Sequence, residues 1–168
     1  MPTIDADTHV IEADETWEYM EGKDRQYRPR TLHLEDETRQ GRRGRSEFWL
    51  FDENLESKGP NPESRSRTPA AAAEMRDLDA RLQDMDRLGV DVHVLYPTLL
   101  LGMAHLARPQ TQIAMCRSYN RWLADVWKRG NGRFRWIVVI PLLTMDAALE
   151  ELRFSKENGA CGVLMRGC

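Results

Sequence analysis

Residues 134–141 read FRWIVVIP, a nearly unbroken apolar run rich in β-branched residues and closed by a proline. Successive side chains of a strand point to opposite faces, so a strand with one wet face alternates polar and apolar residues. This run does not alternate. Both of its faces are therefore expected to be buried, the condition of a strand in a parallel sheet covered by helices. Upstream, the spacing predicts a helix from Pro109 to Gly130, with Ile113, Cys116, Tyr119, Trp122 or Leu123, and Val126 on one side. Proline opens it and glycine follows its end, as helix termini prefer. Downstream, Thr144 stands at an N-cap position for a helix through Asn158, with Ala148, Leu149 and Leu152 inward, and Gly159 ends it. ACGVLMR, residues 160–166, is then another strand.

Toward the N-terminus the alternation continues. Met75, Leu78, Leu82, Met85 and Leu88 recur at helical spacing through a run of helix formers that starts at Ala70, and Gly89 occupies the C-cap position. VDVHVLYP, residues 90–97, sets Val90, Val92 and Val94 against Asp91 and His93 before turning apolar, which predicts a strand entering a buried sheet. PTIDADTHVIE, residues 2–12, is the first strand-like segment, and 13–20 reads as a short helical turn or loop. From 21 to 69 the composition turns to Gly, Pro, Arg, Glu and Ser. Two apolar runs there, Thr31–Leu34 and Phe48–Phe51, flank a turn-rich 38–45 and predict a β-hairpin, with Gly41–Arg45 as a solvated turn and 59–69 as loop. Strand, insertion, and then helices alternating with three more strands imply βαβ units and a parallel sheet. Four such strands form either an open sheet or half of an eight-stranded barrel.

Bulk properties narrow the function classes. At 168 residues the chain suits one domain with its own core, and 41% apolar against 30% charged residues describes a soluble globular protein. A formal charge of -3 argues against nucleic acid as the partner, despite the basic cluster Arg42, Arg43 and Arg45. Cys116, Cys161 and Cys168 are odd in number and lack a C-x-x-C spacing, so neither a disulfide framework nor a zinc knuckle is expected. The N-terminus carries no secretory-type apolar stretch and no run is long enough to span a bilayer, which predicts a cytoplasmic protein with no membrane partner.

The first strand carries the chemistry. Strict alternation puts Asp5, Asp7 and His9 on one face and Ile4, Ala6, Thr8 and Val10 on the other. Carboxylates turned into an interior need partners, since an unpaired buried charge is very costly. A divalent cation suits a carboxylate and an imidazole two residues apart on one strand, so Asp7 and His9 are the candidate metal ligands.

Several segments together resemble the amidohydrolase-related family called amidohydrolase 2, which includes metal-dependent decarboxylases of the aminocarboxymuconate-semialdehyde and resorcylate type. They are IDADTHVIE at 4–12, MDRLGVDVHVLYPT at 85–98, SYNRWLADVW at 118–127, RFRWIVVIPL at 133–142 and GACGVLMRG at 159–167. The resemblance implies a (β/α)8 barrel whose first strand ends in H-x-H or an acidic-x-H variant. The acidic form fits here, on Asp7 and His9. Family members supply a further His after the fifth strand and an Asp after the eighth, whereas four strands are present. The expected fold is the N-terminal (β/α)4 half of a TIM-type barrel, one incomplete domain over 1–168 with a polar hairpin insertion at 21–69.

In such a barrel the reacting groups stand at the C-terminal strand ends. Arg166 stands there either to fork onto a substrate carboxylate or to pair with Asp5 or a loop carbonyl, Tyr96 either to orient a phenol or carbonyl or to pack in the core, and Glu12, which resembles the acidic residue common after the family's first strand, either to stand near the substrate or to support the site from behind. The implied cofactor is a divalent metal, zinc first and manganese second. The implied function is the N-terminal portion of a metal-dependent hydrolase or decarboxylase for a small carboxylic or aromatic substrate, not active alone. The alternative is an inactive truncated chain, or a half-barrel subunit that acts by assembling with itself or with a C-terminal half. Two unpaired parallel edges and an apolar inner face require such a partner. A flavodoxin-like module is disfavoured, because no Gly-rich phosphate loop follows any strand.

Overall fold

The run at Phe134–Val139 is a strand, β6 in chain order, with Phe134, Trp136, Val138 and Val139 each no more than 2% exposed. A computed structural model describes residues 1–37, 43–58 and 68–165; side chains at 35–37, 43–46 and 103–105 lie outside the description. Four parallel strands form one sheet in the order β1 (Ile4–His9), β5 (Val92–Tyr96), β6 and β7 (Ala160–Leu164). Sequence order equals spatial order, each step made by a helical crossover, as in one half of a (β/α)8 barrel.

The crossover helices follow their sequence signals, with two differences. The helix expected from Ala70 is two: α1 spans Ala70–Ala73 and α2 spans Leu78–Leu88. Between them Met75 takes φ 56 with its side chain 2% exposed, and the Asp77 carboxylate caps α2 by accepting from the Ala80 N–H at 2.9 Å. Burying Met75 and capping at Asp77 outweigh the continuous helical pattern. Gly89 closes α2 at φ 68, the left-handed geometry its position predicts.

The third helix, α3 (Pro109–Arg129), runs along the sheet with Met115, Tyr119, Leu123 and Val126 fully buried. The fourth, α4 (Met145–Glu157), does not turn Leu149 inward; Leu149 is 40% exposed and the buried stripe is Ala147, Ala148, Glu151 and Ser155. The reason is polar. Glu151 accepts from Arg121 Nη1 at 2.6 and 2.8 Å and from Asn120 Nδ2 at 2.8 Å. Asn120 also donates to the Val139 carbonyl at 2.9 Å and accepts from the Val139 N–H at 3.1 Å, so one amide ties α3, α4 and β6 together.

The insertion is an antiparallel sheet of β2 (Arg30–Glu37), β3 (Arg43–Phe51) and β4 (Asn54–Ser57). The first two strands are the expected hairpin; β4 is an addition that its mixed sequence, NLES, does not announce. Residues 43–45, expected in a solvated turn, instead begin β3, because their backbone pairs with 35–37 of β2; 38–42 and 59–67 lie outside the described residues. Trp49 and Phe51 of β3 enter the main core, where Trp49 meets Trp17 edge-on at 5.9 Å and Lys58 Nζ lies 4.3 Å from the Trp49 ring centroid. The polar segment is thereby bound to the barrel layer by its aromatic residues.

Candidate functional site

The ladder of β1 is irregular. Asp5 pairs with His93 but Thr8 pairs with Leu95, so β1 holds one extra residue between them. A bulge of this kind shifts the side-chain alternation by one. Asp5 consequently joins Thr8 on the side of His93 and Leu95, beneath the helices, while Asp7 and His9 remain on the other. The strict alternation that put all three on one face fails at this bulge. Asp5 has its own local partner: the Asp7 N–H donates to its carboxylate at 3.1 Å, and this bond holds the Asp5 carboxyl below the usual carboxylate range.

Asp7 and His9 stand together at the C-terminal end of β1. The separation from His9 Nε2 to Asp7 Oδ1 is 3.7 Å, with the Asp7 side chain 90% and the His9 side chain 39% exposed. Two ligands on one zinc ion, each bonded at about 2.0–2.2 Å in tetrahedral array, stand roughly 3.4 Å apart. A small rotation of the exposed Asp7 side chain closes that difference. The ring of His9 is already oriented. Its Nδ1 lies 2.8 Å from the Pro97 carbonyl oxygen, which can only accept, so Nδ1 carries the proton and Nε2 offers its lone pair on the Asp7 side. A carbonyl fixing the far nitrogen of a metal-binding histidine is the usual outer support of such sites. The pair therefore fits a divalent cation in chemistry and orientation, and supplies two donors. Among the described residues no group of three His, Cys, Asp or Glu side chains is placed to hold a metal.

The remaining candidates fall variously. Tyr96 is half-buried at the end of β5, its ring tilted 36° to His9 with centroids 6.0 Å apart, so it flanks the pair. Glu12 is 1% exposed and its carboxylate is engaged by the loop after β5: Oε1 and Oε2 each lie 3.2 Å from the Thr98 N–H, Oε2 2.9 Å from that of Leu99, and Oε1 3.3 Å from that of Leu100. Burial pushes the Glu12 carboxyl up, against the pull of these amides. Three backbone N–H groups thus engage both carboxylate oxygens. Arg166 lies outside the described residues.

Two features escaped sequence reasoning. His93 is 4% exposed, and its Nδ1 has no hydrogen-bond partner among the described residues. An aliphatic cleft of about 480 Å³ opens at the ends of β6 and β7, walled by Leu100, Leu106, Val139, Ile140, Leu164 and Met165. Its only signal in the sequence is the apolar character of the segments that end there.

Parallel strands with crossover helices define this as one half of a (β/α)8 barrel, with Asp7 and His9 at the C-terminal end of its first strand. The amidohydrolase family model matches residues 4–166, and the chain belongs to that family. A solved amidohydrolase from Mycobacterium avium subsp. paratuberculosis K-10 is similar in fold, with a TM-score of 0.66 at 20% identity over 96% of this chain and 48% of that one. The chain thus spans about half the length of the solved relative it matches. No curated protein matches it significantly.

Proposed function

We propose that Asp7 and His9 are the first-strand donors of a divalent-metal site, in an enzyme that hydrolyses or decarboxylates a small carboxylic or aromatic substrate. Zinc is the metal, with manganese the alternative. The observation that carries this reading is the Pro97 carbonyl at His9 Nδ1, which presents the bare Nε2 beside the Asp7 carboxylate. A bound divalent ion supplies polarisation of a substrate carbonyl or carboxylate and acidifies a bound water. The chain's own residues supply the setting. Tyr96 walls the pair on one side, the aliphatic cleft receives the apolar body of the substrate, and Arg166 is the expected carboxylate fork.

Two donors are fewer than the three or four protein ligands usual at zinc. The remaining donors are expected from barrel strands beyond these four, on the same polypeptide or on a partner, and the four-strand half does not turn over substrate without them. Calorimetric titration of the 168-residue chain with zinc tests the reading. Weak one-to-one binding that disappears in His9→Ala and weakens in Asp7→Asn is expected. Zinc binding that His9→Ala leaves unchanged removes the metal site.

A further inference from the structure

His9 and Glu12 grip opposite ends of one peptide unit. The carbonyl of Pro97 accepts from His9 Nδ1 at 2.8 Å, and the N–H of the same peptide, on Thr98, donates to both Glu12 oxygens at 3.2 Å. The peptide is trans, so its C=O and N–H point in opposite directions and are rigidly joined across a planar, conjugated unit. Hydrogen bonds in such a chain polarise one another, and a carboxylate at the N–H end makes the carbonyl at the other end a stronger acceptor. Glu12 also gathers the N–H groups of Leu99 and Leu100, while Thr98 Oγ1 donates to the Val10 carbonyl at 2.7 Å. The loop after β5 is therefore pinned to the end of β1 on both sides of the Pro97–Thr98 peptide.

The geometry points to Glu12 as a positioning residue that sets the tautomer and orientation of His9 through the Pro97–Thr98 peptide. This takes the place of the direct carboxylate–histidine contact often seen behind a metal ligand. The role rests on the reading of Asp7 and His9 as a metal pair, but its first consequence exists without metal. A neutral His9 in the folded protein carries its proton on Nδ1.

The test is long-range proton–nitrogen NMR on histidine-labelled, metal-free protein, followed by zinc titration. Wild type is expected to show His9 as the Nδ1–H form, with a hydrogen-bond coupling to the Pro97 carbonyl carbon. Glu12→Gln retains one acceptor oxygen but loses the charge; it is expected to shift His9 toward the Nε2–H form and to weaken zinc binding about 10–100-fold. Thr98→Val loosens the same loop and leaves the peptide relay in place, so it is expected to keep the wild-type tautomer. A folded Glu12→Gln with unchanged tautomer and zinc affinity overturns the proposal. So does a wild-type His9 found as Nε2–H, a result that decides the matter even if Glu12→Gln does not fold. A wild type with the Nδ1–H form that takes up no zinc overturns the metal reading alone, leaving the tautomer comparison to judge Glu12.

Discussion

His93 shows how far one side chain's charge state is set by what surrounds it. It sits under the helices on β5, facing Asp5 of β1, Arg81 and Asp84 of α2, and Arg133 ahead of β6. Burial, with the Arg81 guanidinium adding to it, lowers its pKa to about 4 from 6.5, against the opposite pull of Asp5 and Asp84. In the unfolded chain the imidazole titrates near 6.5, so between that pH and 4 the unfolded state binds a proton that the folded state refuses. The contribution to stability is complete above pH 6.5, declines as the pH falls to 4, and is flat below. Urea unfolding across this window is expected to show the decline in wild type and a shallower one in His93→Gln, whose side chain does not titrate. Equal slopes would mean that the acid sensitivity arises elsewhere. Asp5 and Asp84, both lowered, lose their contributions only as the pH falls through the carboxylate range, at the acid end of the window or beyond.

At the scale of elements, the α3–α4 contact depends on polar groups that hydropathy alone places outside. Glu151 is fully buried, with its charge met by Arg121 and its second bond made to Asn120. Removing one member of a buried pair leaves the other uncompensated, so Glu151→Ala is expected to lower the unfolding free energy by about 3 kcal/mol. Arg121 is one-third exposed and can still reach water, which keeps the loss at the lower end of the range. The i,i+4 pair Arg129–Asp125 at 2.8 Å is exposed on both sides, and Arg129→Ala is expected to change stability by no more than about 0.5 kcal/mol. Similar losses from the two variants in chemical denaturation would show that Glu151 is not the lock between these helices. The turn that follows α4 has its own constraint: Gly159 has φ 86, and the Trp127 ring occupies the place a Cβ would take. No other residue type meets both conditions.

For the molecule as a whole, the described residues leave β1 and β7 as the two edges of a parallel sheet. Beside them Ile4 is 57%, Val163 43%, and Met165 67% exposed, and Leu142 and Leu143 after β6 are 46% and 52% exposed. Unpaired parallel edges flanked by apolar side chains invite pairing with another chain. Light scattering on the chain, whose mass is 19.5 kDa, is expected to give at least twice that value. Charged substitutions at Ile4 and Val163 are expected to lower it. A stable monomer with no apolar-dye binding would count against barrel closure by a partner.

The alternation of strand and helix, the buried character of β6, the C-cap at Gly89 and the helix start at Pro109 were all legible in the sequence, because each rests on local periodicity or on a terminus signal. The family resemblance lay in the same segments. Tertiary structure alone decided the rest. The bulge that turns Asp5 away from Asp7 appears only when β1 is laid against β5. The burial of Glu151 needs α3 beside it, and the grip of Glu12 and His9 on the Pro97–Thr98 peptide joins residues more than eighty positions apart. Such contacts leave no periodic trace, since they depend on where two backbones meet and not on what either segment prefers by itself.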